Sequence, residues 1–173
     1  GPKPVVCFGE MLLRLSPRPG TPLASANYLE VAVGGAEANV AVALASLDWP
    51  ARMVTALPDN PLARRAIGQL RFAGVDCKFI EQGEGRIGLY FFEPPSGPIG
   101  GRVTYDRAGS SFAESSPESF DFKAALKGAS LLHLSGITPA LGHAGVELAR
   151  GAIAAANNAE VPICFDGNYR ASL

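Results

Sequence analysis

Long apolar runs are missing from these 173 residues. None approaches the roughly 20 residues a spanning helix needs, so no membrane partner is expected. An excess of charge of one sign is missing as well: 15 Lys and Arg stand against 16 Asp and Glu. With no basic run either, nucleic acid is an unpromising partner. Cysteine is scarce. Cys7, Cys77 and Cys164 are odd in number and far apart, and two of them sit in apolar strand-like runs. That excludes a disulfide framework and points to reduced core thiols in a cytoplasmic protein. His133 falls in an apolar strand and His143 in a helix, neither with a partner at metal-ligand spacing, so both read as structural and no metal site is expected. The adjacent glycines within "VAVGGAEANVAVALASL", residues 31–47, form neither a Gly-Lys-Ser/Thr loop nor a G-x-G-x-x-G turn. Gly1-Pro2, without an initiator Met, reads as the remnant of a cleaved tag.

What is present is the composition of a globular domain, 47% hydrophobic and 18% charged. Val5-Val6-Cys7-Phe8, stopped by Gly9, suits a strand buried on both faces. From Glu37 to Asp48 the residues Val40, Ala43, Leu44 and Leu47 recur at helical spacing, behind a Gly34-Gly35-Ala36 turn. A strand over 51–56 leads to Asp59-Asn60-Pro61, a capping residue and first-turn proline ahead of a helix ended by Gly74. A strand over 130–134, one long helix from Pro139 to about Ala156 and a strand over 161–165 follow. Strands alternating with helices predict an α/β fold: a doubly wound, mostly parallel sheet with helices on both faces.

Two regions break the rhythm. Residues 11–33 and 86–107 alternate like strands with no helix between them, and predict a small antiparallel sheet outside the main one. Leu89, Phe91 and Phe92 are too apolar for a free hairpin, so this flap is expected to cover a ligand or a partner chain. Alternation puts Tyr105 and Arg107 on one face of a strand and Thr104 and Asp106 on the other. Glu10, after the first strand, suits either a ligand hydroxyl or a turn cap.

Gly34-Gly35-x-x-x-Asn39 ahead of a small-residue helix, "TALPDN" at 55–60 and "GVD" at 74–76 resemble, in this order, the ribokinase-like (PfkB) carbohydrate kinases. The likeness runs from Val5 to Leu173 and implies an α/β domain with a small β-sheet lid over the sugar, a lid that often mediates homodimers. "FGEMLLRLSP" at 8–17, "GLYFFE" at 88–93, Tyr105-x-Arg107 and "FDGNYRASL" at 165–173 look most like the 2-keto-3-deoxygluconate kinases of that family. The resemblance implies substrate contacts at Gly34, Gly35, Ala36, Glu37, Ala38, Asn39, Tyr90, Tyr105, Arg107 and Arg170. It places Asn168, Tyr169 and Arg170 near the nucleotide. ATP and Mg2+ are the implied cofactors, and a fructokinase or another PfkB sugar kinase is the nearest alternative.

The residue chemistry agrees with an acidic sugar. A carboxylate rewards a guanidinium fork, and two arginines, Arg107 and Arg170, are expected to converge on one small anion. Tyr90 and Tyr105 offer hydroxyls and an apolar face for sugar carbons. Arg170 also suits a transferring phosphoryl group, whose catalysis is mostly positioning and electrostatics. Asp166, just before it, reads equally as a turn cap or as an orienter of active-site groups. The family's Gly-Ala-Gly-Asp motif, which carries the catalytic base, is not in this sequence. The chain is therefore expected to be the N-terminal part of a longer kinase, inactive alone, with an exposed sheet edge. The rival expectation is a non-catalytic module that binds a sugar acid or dimerises.

Overall fold

In the computed structural model, which describes residues 1–98, 100–169 and 171, strand β1 (Val5–Phe8) is wholly buried. Its side chains alternate between two cores, Val6 and Phe8 facing one, Val5 and Cys7 the other. Such a strand has to lie inside a sheet covered on both faces. The chain next forms β2 (Leu12–Ser16), β3 (Glu30–Gly34), α1 (Ala36–Ser46), β4 (Ala51–Leu57), α2 (Pro61–Phe72) and β5 (Asp76–Gln82). Then come β6 (Gly88–Glu93), β7 (Arg102–Asp106), α3 (Phe122–Leu126), β8 (Leu131–Ser135), α4 (Ile137–Ala140), α5 (His143–Asn158) and β9 (Ile163–Asp166).

The main sheet has the order β5-β4-β1-β8-β9 and every pairing in it is parallel. Helices α1 and α2 cover the Val5 and Cys7 face, and α3 and α5 the Val6 and Phe8 face. The doubly wound architecture expected from the alternation of strands and helices is what forms. Phe8 centres the second core, its ring 5.0–5.5 Å from those of Phe112, Phe120 and Phe122. At the start of α2 the Asn60 side chain accepts a hydrogen bond from the Ala63 amide at 2.9 Å, with Pro61 in the first turn. Both satisfy the helix end as the sequence predicts.

Beside this sheet stands a second one, of order β3-β2-β6-β7. Its outer pairings, β2 with β3 and β6 with β7, are antiparallel as expected, but the central pairing of β2 with β6 is parallel. The lid is therefore mixed rather than antiparallel, because β2 and β6 come from separate excursions out of the main sheet and both leave it in the same direction. Leu13, Val31, Val33 and Leu89 on its inner side continue the core beneath α1 and α2.

Three further expectations are corrected. The helix predicted over 139–156 is two helices, because Gly142 at φ 112° breaks it. Helix α1 buries Glu37, Ala38 and Ala41, while Ala43 and Leu47 face solvent; small residues win the inward face because the helix lies close on β1 and β4. Of the supposed core thiols only Cys7 is buried, and Cys164 is exposed because β9 forms an edge of the sheet. Burial pushes the Cys7 thiol up to about 12, which leaves it inert. Among the described residues no helix is long and apolar enough to cross a membrane.

Phe8→Ala is expected to cost about 3–5 kcal/mol, the range for emptying a buried aromatic site. Asn60→Ala is expected to cost about 1 kcal/mol through loss of the cap. Urea unfolding monitored by circular dichroism reads both, and equal costs would contradict the assigned hierarchy.

Candidate functional site

Open parallel sheets bind ligands outside the carboxyl ends of their strands, where the winding reverses. Here the reversal lies at β1, since the chain winds outward through β4 and β5 on one side and through β8 and β9 on the other. A cleft of about 270 Å³ opens there, between that end of the sheet and the lid. Glu10 and Ile137 line it from the ends of β1 and β8. Gly35, Ala36, Glu37 and Asn39 contribute the first turn of α1, and Leu12, Arg14, Tyr90, Phe92, Val103, Tyr105 and Arg107 the lid.

The adjacent glycines have separate physical reasons. A Cβ on Gly34 would stand 2.8 Å from the Tyr90 ring and its hydroxyl, so the missing side chain lets that tyrosine lie against the turn. Gly35 has φ 136°, and a Cβ there would meet the Glu10 carbonyl at 2.7 Å. It caps α1 with no side-chain bond, so the amides of the helix's first turn stay available to a ligand at the positive end of the helix dipole.

Lid and sheet are joined by Glu10. Its Oε2 accepts from Arg107 Nε at 2.8 Å and from Arg107 Nη2 at 2.5 Å, and its Oε1 accepts from Ser110 Oγ at 2.7 Å. The side chains are 2% and 10% exposed for Glu10 and Arg107, which makes this a buried pair rather than a surface one. Arg107 also stacks on Tyr105, its Cζ 5.5 Å from the ring centroid, and Tyr105 lies 6.0 Å from Tyr90. On the opposite face of β7, Asp106 pairs with Arg86 at 2.7 Å, which holds the Asp106 carboxyl below the usual range. The alternation predicted for 104–107 is therefore observed.

Glu37 lies differently from the other residues of its turn. Its carboxyl folds inward, accepting from Ser135 Oγ at 2.6 Å, and a Cβ on Gly9 would come within 2.2 Å of its Oε2. Ser135 Oγ in turn accepts from the Ile137 amide at 3.3 Å, so the start of α1 is tied to the β8–α4 turn. Burial raises the Glu37 pKa above its ordinary 4.5, against the lowering effect of the Ser135 bond.

Of the residues proposed from sequence, Gly35, Ala36, Glu37, Asn39, Tyr90, Tyr105 and Arg107 meet in this cleft, with Gly34 directly beneath Tyr90. Ala38 does not, since its side chain belongs to the core under α1. Asn168 and Tyr169 follow β9, outside the cleft lining, and Arg170 lies outside the described residues, so its convergence with Arg107 is not part of this geometry. Asp166 accepts from the Asn168 amide at 3.0 Å, the turn-capping alternative. Sequence reasoning missed Arg14, which alternation in "LLRLS" would have put on the same face as Leu12. Among the described residues no group of three or more His, Cys, Asp or Glu is placed to hold a metal ion.

Glu10→Ala is expected to cost about 3–5 kcal/mol, because it leaves Arg107 buried without its partner. The double variant Glu10→Ala/Arg107→Met is expected to cost less than the sum of the singles, a coupling that a double-mutant cycle in urea measures. For Glu37 the folded state holds its proton to higher pH than the unfolded chain does. Its contribution to stability is therefore complete below about pH 4.5 and drains as pH rises through the raised value. Glu37→Gln removes that drain, so the difference in unfolding free energy should move in the variant's favour between pH 4.5 and 8. Parallel pH profiles would contradict this.

The profile of the pfkB family of carbohydrate kinases matches residues 3–173. A 2-dehydro-3-deoxygalactonokinase of Haloferax volcanii is 36% identical over 98% of this chain and 53% of its own length. A 2-dehydro-3-deoxygluconokinase of Thermoproteus tenax is 28% identical over 98% and 51%. Among solved structures, the 2-dehydro-3-deoxygluconokinase of Thermotoga maritima superposes with a TM-score of 0.93 at 43% identity, over 99% of this chain and 52% of that one. The chain thus spans about half the length of the curated relatives it matches. Profile and structure agree, and the chain belongs to the pfkB family of carbohydrate kinases.

Proposed function

We propose that this chain forms the sugar site of an ATP-dependent kinase acting on the terminal hydroxyl of 2-keto-3-deoxygluconate or a closely similar sugar acid. The observation that carries the reading is the cleft itself. It sets Tyr90 and Tyr105, a paired Arg107 and the open first turn of α1 around one space beneath a lid. The relatives named for 2-dehydro-3-deoxy sugar acids support the same substrate class.

Each part has a task on this reading. The rings of Tyr90, Tyr105 and Phe92, with Leu12 and Val103, cover the apolar edges of the sugar carbons, and the tyrosine hydroxyls are in reach of sugar oxygens. Guanidinium groups and the α1 amides favour the carboxylate. The lid keeps water from competing with the sugar as acceptor. Transfer forms a bond from the sugar oxygen to phosphorus and releases ADP, while the hydroxyl proton passes to a base that this chain does not supply. Magnesium bound with ATP would neutralise charge on the phosphates. Arg170 is proposed to stabilise the transferring phosphoryl group, with Asn168 and Tyr169 toward the nucleotide. Association of two protomers through the lid, and a cytoplasmic location, belong to the same reading.

The full open reading frame product, given a panel of sugars and ATP, is expected to phosphorylate the sugar acid with a higher kcat/KM than fructose. Fructose ahead by tenfold would favour a fructokinase and remove the carboxylate from the account. Arg107→Ala should weaken sugar-acid binding by about 1.5–3 kcal/mol in calorimetry, the worth of a hydrogen bond to a charged group. Arg107→Lys keeps a charge for Glu10 but loses the fork, and should show an intermediate loss; unchanged affinity in both variants would take Arg107 out of the site.

A further inference from the structure

The lid strands present a transverse row to the cleft: Arg14 on β2 is in register with Tyr90 on β6, and Tyr90 with Tyr105 on β7. Arg107 follows two residues beyond Tyr105. The two tyrosines thus have guanidinium groups at two places, Arg14 at the β2 end of their row and Arg107 one step along β7 from Tyr105.

The two arginines differ in charge balance. Arg107 gives Nε and Nη2 to the buried Glu10 carboxylate, so the pair presents little net charge to a ligand. Glu37, the other carboxyl lining the cleft, is turned inward onto Ser135 and Gly9. The Arg14 side chain makes no hydrogen bond or ion pair with the described residues, although Glu30 lies diagonally across from it on the same face of the lid. Arg14 Cζ lies 5.9 Å from the centroid of the Phe92 ring, on the same lining. An aromatic face holds a guanidinium in place without consuming its donors.

Resting on the sugar-kinase reading above, we infer that Arg14 is the specificity-determining cation of the cleft, the one that makes an anionic sugar preferable to a neutral one. Arg107, neutralised by Glu10, acts mainly as an oriented hydrogen-bond donor. The ligand class that satisfies both is a short-chain sugar bearing a carboxylate at the end remote from the reacting hydroxyl. Its anionic group meets the unbalanced guanidinium, while its hydroxyls meet Arg107 and the tyrosines. An ordinary surface arginine would face open solvent; Arg14, though solvent-accessible, faces the cleft.

The test uses the full open reading frame product and compares kcat/KM for 2-keto-3-deoxygluconate with that for fructose. Arg14→Met is expected to lower the ratio of acid to neutral roughly tenfold or more, the scale of one lost charge-assisted bond. The loss should fall on KM for the acid and leave its kcat nearly constant, the mark of an interaction equal in ground and transition states. Arg14→Lys, which retains the charge, should keep more of the preference. A ratio in Arg14→Met within twofold of the parent would overturn the inference while leaving the sugar-acid reading intact. A parent enzyme that itself prefers fructose would overturn the sugar-acid reading, and the inference with it.

Discussion

The carboxylate of Glu10 is where the two sheets become one site. It leaves the end of β1, the most buried strand of the main sheet, and takes three hydrogen bonds from Arg107 and Ser110 at the far end of the lid. Removing two charges from water costs several kcal/mol, and that cost is offset only when geometry is good and both oxygens are used. Both are used here. The pair is better understood as a device for position than as a source of net stability. It fixes where β7 ends, and thereby where Tyr105 and the remaining donors of Arg107 face the cleft.

Everything around that contact is built to let chain segments come close. Gly88 at the start of β6 has no Cβ because one would stand 2.6 Å from Glu10 Oε1. Gly34 and Gly35 bring the turn before α1 against Tyr90 and the Glu10 backbone. Beneath, the Glu37 to Ser135 bond ties the same helix end to β8, so the floor of the cleft is held from two strands. Floor and lid are thus pinned by one buried carboxyl each, Glu37 below and Glu10 above. A small polar ligand would enter a space whose donors are already oriented, which lowers the ordering cost of binding.

The parts of this that were legible in the sequence are those governed by local periodicity. An unbroken apolar run stopped by Gly9 marked β1 as doubly buried, two-residue alternation placed Tyr105 with Arg107, and the Asn60-Pro61 signal located the start of α2. What was not legible depends on contacts far apart in the chain. Glu10 and Arg107 are separated by 97 residues, so nothing in either neighbourhood marks them as partners. The inward face of α1 was misread because close packing on β1 and β4 selects Ala38 and Ala41 over larger apolar residues. The parallel pairing of β2 with β6 is likewise a tertiary choice, since strand patterns carry no direction. Arg14 was missed although alternation puts it on the face of Leu12, because its significance rests on lining the cleft, which depends on how β2 pairs with β6.

The charge distribution of the cleft gives the account its direction. Among the described lining residues one guanidinium is paired and buried, one at the β2 end of the tyrosine row has no ion pair, and the Glu37 carboxyl is turned away. A ligand with one negative end and several hydroxyls matches that distribution; a neutral hexose leaves the unbalanced cation without a partner. The most direct test is a crystal structure of the full open reading frame product with 2-keto-3-deoxygluconate bound. The account predicts the sugar between the Tyr90 and Tyr105 row and the first turn of α1, with its carboxylate within hydrogen-bond distance of the lid guanidinium groups. A sugar seated elsewhere, or a carboxylate turned away from the lid, would contradict it.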